Sequence, residues 1–254
     1  MPEVWNPFVG ARIAERYARA RPALHDRAVA AMRERLAPTR RAIDLGCGTG
    51  LSTRALASFA PAVIGVDVSL DMLASADGGG RITYVAAEIE RLPFVDGSFD
   101  LATVASAIHW FGAGGIAEIA RILAPGSPLV VYDVWFPAKM TGVTEFGQWL
   151  HDVSEARYPP VPKRHENSEL LERSGFDPTW SAELREGVEM TRDELAAYLM
   201  THSERISAVA LGRESEEEQI AMLRAGLQPF FADLPARDLI FGIEIQTYER
   251  ASDS

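Results

Sequence analysis

Apolar and polar positions along this chain change period several times, and each change predicts an element. Ile13, Tyr17 and Leu24 recur at helical spacing, and Val29, Met32 and Leu36 do so again until Pro38 stops the run. From Ala42 onward, short apolar runs alternate with helix-period stretches. Strands are predicted at Ala42–Leu45, Ala62–Val66, Ile82–Ala86, Leu101–Ala105 and Leu129–Val134. Helices are predicted at Leu51–Phe59, Leu70–Ala76 and Ala113–Ile122, with a turn-rich link at Pro93–Ser98. That alternation specifies a parallel sheet carrying helices on both faces.

Beyond Trp135 the pattern is mostly helical. Thr144–Tyr158 and Ser168–Ser174 read as helices separated by the rigid break of Pro159, Pro160 and Pro162. Thr191–Ser203 reads as one helix, with Thr191 and Glu194 forming a capping box, and Ser215–Phe231 as another. Asp238–Tyr248 reads as a strand with Trp180–Leu184 as its antiparallel neighbour. Three parts follow: a helical segment at 1–37, an alternating strand–helix core at 38–136, and a mostly helical part at 137–254 that also carries two further strands.

Composition narrows the class. The 254 residues are 47% hydrophobic and 24% charged, ordinary for a globular protein with one large core and an elaboration. A net charge of −11 opposes binding to nucleic acid or anionic membrane surfaces. Arginines crowd the first 41 residues, which reads as a solvated helix face or as one arginine reserved for an anionic substrate. Cys47 is the single cysteine, the start has no signal-peptide pattern, and no apolar run is long enough to span a bilayer, so a cytoplasmic location is expected. The five histidines are scattered, and no metal-ligand spacing occurs.

The most informative segment is Ile43-Asp44-Leu45-Gly46-Cys47-Gly48-Thr49-Gly50, a buried strand turning through alternate glycines into a helix. Glycines there permit positive φ and close approach of a ligand, and the following helix aims its N-terminus at an anionic group. Asp67 ends the next strand about twenty residues on, where a carboxylate accepts hydrogen bonds from ribose hydroxyls. Both dinucleotides and S-adenosylmethionine suit this geometry. Leu51 stands where a dinucleotide fingerprint prefers glycine, which favours the smaller ligand with an amino-acid tail. A nicotinamide-dependent oxidoreductase and a cofactor-binding protein without catalysis stay open as alternatives.

Six pieces in order carry a closer likeness: Ile43 to Gly50; Gly65-Val66-Asp67-Val68-Ser69 with Met72-Leu73; Glu88 to Phe94; Asp96 to Asp100; Ala107-Ile108-His109-Trp110-Phe111; and Arg121 to Gly126. With them the chain resembles class I S-adenosylmethionine-dependent methyltransferases, in the small-molecule group that resembles trans-aconitate methyltransferase. Trp5-Asn6-Pro7, Tyr17 to Pro22, and Tyr198 with Thr201 and Ser203 echo that group more faintly.

The resemblance implies a Rossmann-like, seven-stranded, mostly parallel sheet with helices on both faces and a helical lid. It implies a cofactor set of Asp44, Gly46, Cys47 and Gly48 around the methionine end, Asp67 on the ribose, Val68 and Met72 flanking adenine, Glu88 and Ile89 at its polar edge, and Ala105 beside them. On the substrate side it implies Trp5, Tyr17, Arg21, Trp110 and His202, with His109 as the candidate base. Packing alone accounts equally for Met72, His109 and Trp110, and Cys47 reads as a small residue fitting the loop rather than a nucleophile. A small-molecule acceptor, carboxylate or hydroxyl oxygen favoured, and a monomer or homodimer are the expected partners.

Overall fold

The computed structural model describes residues 8–153, 156–158 and 168–251. Two helices, α1 (Ala11–Ala20) and α2 (His25–Arg33), precede β1 (Arg41–Leu45), α3 (Leu51–Leu56), β2 (Ala62–Asp67), α4 (Leu70–Ala74), β3 (Ile82–Ala86) and β4 (Leu101–Ala105). A single 3-10 turn (Ile108–Trp110), α5 (Ala113–Ile122), β5 (Pro128–Met140), α6 (Phe146–Val153) and α7 (Ser168–Arg173) follow. The chain finishes with β6 (Phe176–Thr191), α8 (Arg192–Leu199), α9 (Ser203–Ala210), α10 (Glu216–Phe231) and β7 (Ala236–Arg250).

One seven-stranded, mostly parallel sheet runs in the order β3-β2-β1-β4-β5-β7-β6. β1 pairs in parallel with both β2 and β4, so the order reverses at β1 and opens the crevice where such sheets bind ligands. β1 is buried from Ala42 to Leu45, as a central parallel strand must be. Ile43 and Leu45 on one face meet Val104, Ile116, Ile119 and Ile122 in the core under α5.

Contacts divide the chain into two compact units that do not follow sequence blocks. One comprises Ala23–Val134, Lys163–Leu184 and Ile243–Ser254; the other comprises Met1–Pro22, Trp135–Pro162 and Arg185–Gly242. Helix α2 falls in the first of these units and α1 in the other. Pro22 separates them at chain level. α1 ends at Ala20, and Leu24, expected to close the first helix, precedes α2 as its N-cap residue.

Several other elements differ from expectation for local reasons. β5 runs on to Met140 through Pro137, which reads as a stop; Ala138 at φ 54° marks the irregularity that accommodates it. β6 is a sixteen-residue strand, not the five residues of Trp180–Leu184. Glu183, Arg185, Glu186 and Glu189 dilute its apolar content, which suits a strand at the end of the sheet order, where charge discourages pairing with other chains. The helix expected at Thr191–Ser203 stops at Leu199, and a second helix that was not expected, α9, begins at Ser203. The Thr201 hydroxyl donates to the Tyr198 carbonyl at 2.6 Å, and His202 takes an extended ψ of 137° as the N-cap of α9. The predicted capping box of Thr191 with Glu194 holds, and Ser215 with Glu218 makes a second one that was not singled out. α6 stops at Val153 rather than Tyr158, and the triple-proline break lies outside the described residues.

The 91–98 link is held by one side chain. Arg121 donates to both Glu118 oxygens at 2.7 and 2.8 Å, to Asp96 at 2.8 Å, and to the carbonyls of Phe94 and Leu92 at 2.7 and 3.1 Å. Glu118 in turn accepts from Leu92 N–H at 2.9 Å. The link is therefore fixed to α5, and Phe94 packs edge-on against Phe99 at 5.1 Å.

Gly50 owes its identity to a neighbour within the protein. Its φ is +75°, and a Cβ there would stand 2.0 Å from the Tyr84 hydroxyl oxygen and 2.7 Å from Cζ. Gly50→Ala is expected to cost about 2–4 kcal/mol, combining left-handed strain with overpacking. In a Tyr84→Ala background the same change should cost about 1–3 kcal/mol less. Urea unfolding of the four proteins of that cycle measures this, and equal costs in both backgrounds would show that Tyr84 does not set the requirement.

Candidate functional site

The glycine loop is closed at its base by a buried carboxylate. Asp44, on β1 and fully buried, accepts from Ser52 at 2.6 Å and Thr53 at 2.7 Å on one oxygen, and from Thr103 of β4 at 2.9 Å on the other. Burial pushes its pKa up, and the three hydroxyls pull it back only in part. Each hydrogen bond to a charged group contributes about 1.5–3 kcal/mol, against a burial cost of several kcal/mol for the ion. The net direction shows that burial dominates. Asp44 thus ties β1 and β4 to the first turn of α3, fixing both ends of the 46–50 loop.

Within the loop, Gly46 N–H and Cys47 N–H both donate to the Val66 carbonyl, at 2.8 and 3.0 Å. A Cβ at Gly46 would meet Ala107 Cβ at 2.6 Å, so the loop packs directly on the turn after β4. Asp67 ends β2 and takes Gly48 N–H on one oxygen and Ser69 N–H on the other, each at 2.8 Å. Burial raises its pKa, with those backbone donors pulling the other way. Each carboxylate oxygen keeps lone-pair capacity beyond its one backbone donor. Val68 beside it is 57% exposed, an apolar face next to a polar anchor. Met72 is buried, with its Cε 3.2 Å from where a Gly48 Cβ would lie.

Other cofactor-side candidates are placed more simply. Glu88 is exposed just after β3, and half-buried Ile89 packs against Gly115. Ala105 pairs with Tyr132 of β5 at the end of β4. Cys47 is buried, and burial, then the nearby Asp44 and Asp67 charges, push its thiol pKa up, so it stays protonated. His109 and Trp110 sit in the 3-10 turn beyond β4 with ring centroids 5.1 Å apart, and Trp110 also packs on the core. Among the described residues no cluster of His, Cys, Asp and Glu has metal-binding geometry.

Tyr17, Arg21 and His202 belong to the second unit, and there they converge; Trp5 lies outside the described residues. The Arg21 guanidinium carbon is 4.7 Å from the Tyr17 ring centre and 5.3 Å from that of Tyr198, and its Nη2 donates to the Thr201 carbonyl at 3.3 Å. His202 packs edge-on against Tyr198 at 5.1 Å, with Nδ1 3.4 Å from Glu204 Oε1. Burial holds the His202 pKa below its ordinary value, with Arg21 and Arg205 adding to this and Glu204 opposing it. Burial pushes Glu204 up, but His202 first, then a backbone donor and Arg205, together leave it lowered. Of the nine arginines in the first 41 residues, Arg16 and Arg21 alone are half-buried; the other seven are exposed, as a solvated face requires.

Several participants were not singled out from sequence. Ser69 is the N-cap of α4, accepting from Met72 N–H at 3.3 Å, and Ser106 holds a φ of 52° at the end of β4 while accepting from Val134 N–H at 3.2 Å. Ser69 carries a readable signal, a hydroxyl just ahead of a helical stretch; Ser106 carries none. The Tyr132 hydroxyl meets His25 Nδ1 at 2.9 Å, a pairing across 107 residues that no local pattern encodes.

A reversed parallel sheet, a glycine loop tied to a strand-ending carboxylate, and an exposed apolar residue beside it define a nucleoside-binding domain of the doubly wound class. Comparison with known proteins makes this specific. The methyltransferase domain family matches residues 43–131. A demethylmenaquinone methyltransferase of Corynebacterium kroppenstedtii is 37% identical over 124 residues, covering 47% of this chain and 54% of the relative. The O-methyltransferase rstn1 of Aspergillus nomiae is 30% identical over 155 residues, covering 56% of this chain and 68% of the relative. A solved structure from Anaeromyxobacter dehalogenans, described as a candidate type II methyltransferase, superposes with a TM-score of 0.70 at 22% identity, over 91% of this chain and 97% of that one. The chain belongs to the class I S-adenosylmethionine-dependent methyltransferases. It spans about half the length of the first curated relatives it matches, 54% for the Corynebacterium protein.

The residues present could hold S-adenosylmethionine: Asp67 has free acceptor capacity of the kind a ribose would use, Val68 and Met72 offer apolar surface beside it, and the 46–48 loop would take the methionine end. Removing two charge-assisted hydrogen bonds, each about 1.5–3 kcal/mol, should make Asp67→Ala bind this cofactor roughly 10²–10⁴-fold more weakly. Calorimetric titration decides it, and an unchanged affinity would take Asp67 out of the site.

His202 gives a pH prediction. Its folded pKa lies below the ordinary 6.5, so between the two values the unfolded chain binds more protons. Stability from this group is full above about pH 6.5 and is lost as pH falls through that window toward the folded value. Glu204, also lowered, loses its contribution only further down, below the ordinary 4.5. Urea unfolding at pH 7.5 and 5.5 should show a smaller drop for His202→Gln than for the native chain.

Proposed function

We propose that the protein transfers a methyl group from S-adenosylmethionine to an oxygen of a small-molecule acceptor. The observation that carries this reading is the Asp44–loop–Asp67 arrangement: a rigid strap at the base of the glycine turn and a ribose-type acceptor at its rim. The relative that is an O-methyltransferase supports oxygen as the accepting atom.

When bound, the cofactor would supply an electrophilic sulfonium methyl group to the acceptor oxygen, with its own sulfur as the leaving group. The protein's part is positioning, since displacement requires the oxygen in line with the bond that breaks. Gly46, packed on Ala107, keeps the loop against the turn that bears His109 and Trp110. A carboxylate acceptor arrives ionised and needs no base. For a hydroxyl acceptor, His109 takes the proton, an imidazole being suited to this near neutral pH.

A second reading follows from the relatives named demethylmenaquinone methyltransferases, which favour a quinone-type acceptor. Incubation with methyl-labelled cofactor, metabolite extract and, separately, demethylmenaquinone distinguishes the two. The first reading expects label in an oxygen-linked product, released as methanol by alkali from an ester and retained in an ether. Label appearing solely in the quinone would replace it, and no transfer to anything despite cofactor binding would favour a non-catalytic protein. With an ether product, His109→Ala should lower kcat by about 10²–10⁴ with KM little changed; with an ester product it should leave kcat near native.

A further inference from the structure

We propose that Ser106 is a positioning residue for methyl transfer: a left-handed backbone, clamped to β5, that fixes the 107–111 turn with His109 and Trp110 against the glycine loop. This deepens the methyl-transfer reading and rests on it. Ser106 holds a φ of 52°. Serine lacks glycine's freedom there, and a residue so strained persists only where its surroundings over-determine it.

The surroundings that do so belong to β5. Ala105 pairs in parallel with Tyr132, so Ser106 comes opposite Asp133. In a parallel ladder a residue so placed donates its N–H to the carbonyl of 132 and accepts the N–H of 134 through its own carbonyl. Ser106 keeps the first bond, from its N–H to the Tyr132 carbonyl at 2.8 Å. The second is made by the side chain, whose hydroxyl oxygen accepts from Val134 N–H at 3.2 Å. The hydroxyl thus stands in for the main-chain carbonyl, and the backbone can leave the sheet at residue 106 without stranding a donor on β5.

Both sides of this clamp are fixed. Tyr132 is buried, and its hydroxyl meets His25 Nδ1 of α2 at 2.9 Å. Downstream, Trp110 N–H donates to the Ala107 carbonyl and Phe111 N–H to that of Ile108, each at 3.0 Å, and Ala107 Cβ lies 2.6 Å from where a Gly46 Cβ would stand. All of these residues belong to the same compact unit. A changed backbone at 106 therefore swings the turn relative to the loop, and in-line displacement tolerates such a swing poorly.

Substitution separates the backbone role from the hydroxyl's own chemistry. Asparagine tolerates positive φ and offers a side-chain oxygen to Val134 N–H, whereas threonine keeps the hydroxyl but carries a β-branch that disfavours this conformation. With rates of methyl-label transfer to metabolite extract measured at saturating S-adenosylmethionine and corrected for the folded fraction, Ser106→Asn should keep most of the native rate. Ser106→Ala and Ser106→Thr should each lower it by roughly 10–100-fold, with S-adenosylhomocysteine affinity little changed. Two further readouts need no turnover: in Ser106→Ala the Val134 amide should lose exchange protection, and the Trp110 indole N–H resonance should shift. Ser106→Thr at the native rate with Ser106→Asn inactive would show that the hydroxyl itself acts, and overturns the proposal. So would equal rates in all four proteins, or an unmoved Trp110 signal in Ser106→Ala. A native chain that transfers no label removes the methyl-transfer reading, while the exchange and indole measurements still decide whether Ser106 holds the turn.

Discussion

The geometry of the nucleoside site depends on a carboxylate that need not touch a ligand to matter. Asp44 lies fully buried at the heart of the sheet, and its three hydroxyl partners come from α3 and β4. Those partners bracket the five-residue glycine turn on one side and the neighbouring strand on the other. A flexible, glycine-rich segment becomes a fixed cradle because its two ends cannot separate without stripping a buried ion of its donors. Burial still outweighs those donors, as the raised pKa shows, so this strap is held at some expense of stability in exchange for definition.

The glycines themselves divide the work differently from what ligand binding alone suggests. Sequence reading gives all three a positive φ, which each has, and close approach of a cofactor. Gly46 instead makes room for Ala107, and Gly50 for Tyr84, so two of the three answer to neighbours inside the protein. Gly48 remains nearest to the expected use, with its N–H drawn to Asp67 and open space except toward Met72. The Arg121 network makes the same point for the downstream pieces: one guanidinium bonds the Leu92 and Phe94 carbonyls and the Asp96 side chain, holding them together.

How much was legible in the sequence follows from how local each signal is. The parallel core was readable because buried central strands such as β1 are short, unbroken apolar runs; Ile82–Ala86, Leu101–Ala105 and Ala113–Ile122 match the structure residue for residue. The Thr191 capping box was readable because both partners lie within three residues. β6 was mostly missed because its apolar residues are interleaved with charges that an edge tolerates, and the α8–α9 break because a single threonine hydroxyl competes for a carbonyl. For the candidate site, Asp67 and the glycine loop were evident from spacing. That Arg21 turns inward while nearby Arg19 stays exposed has no local signature, since both sit in the same basic run; the resemblance alone singled out Arg21. Pairings such as His25 with Tyr132 have no sequence signature at all.

The buried, protonated state of Cys47 has a practical corollary. Thiol-directed dyes and spin labels will find nothing to react with on the native fold, because the sole sulfhydryl is both enclosed and un-ionised. A cysteine introduced at any exposed position therefore becomes a unique attachment point without prior removal of the native one. Distances between the nucleoside-binding unit and the aromatic-rich one become measurable in solution, one engineered pair at a time.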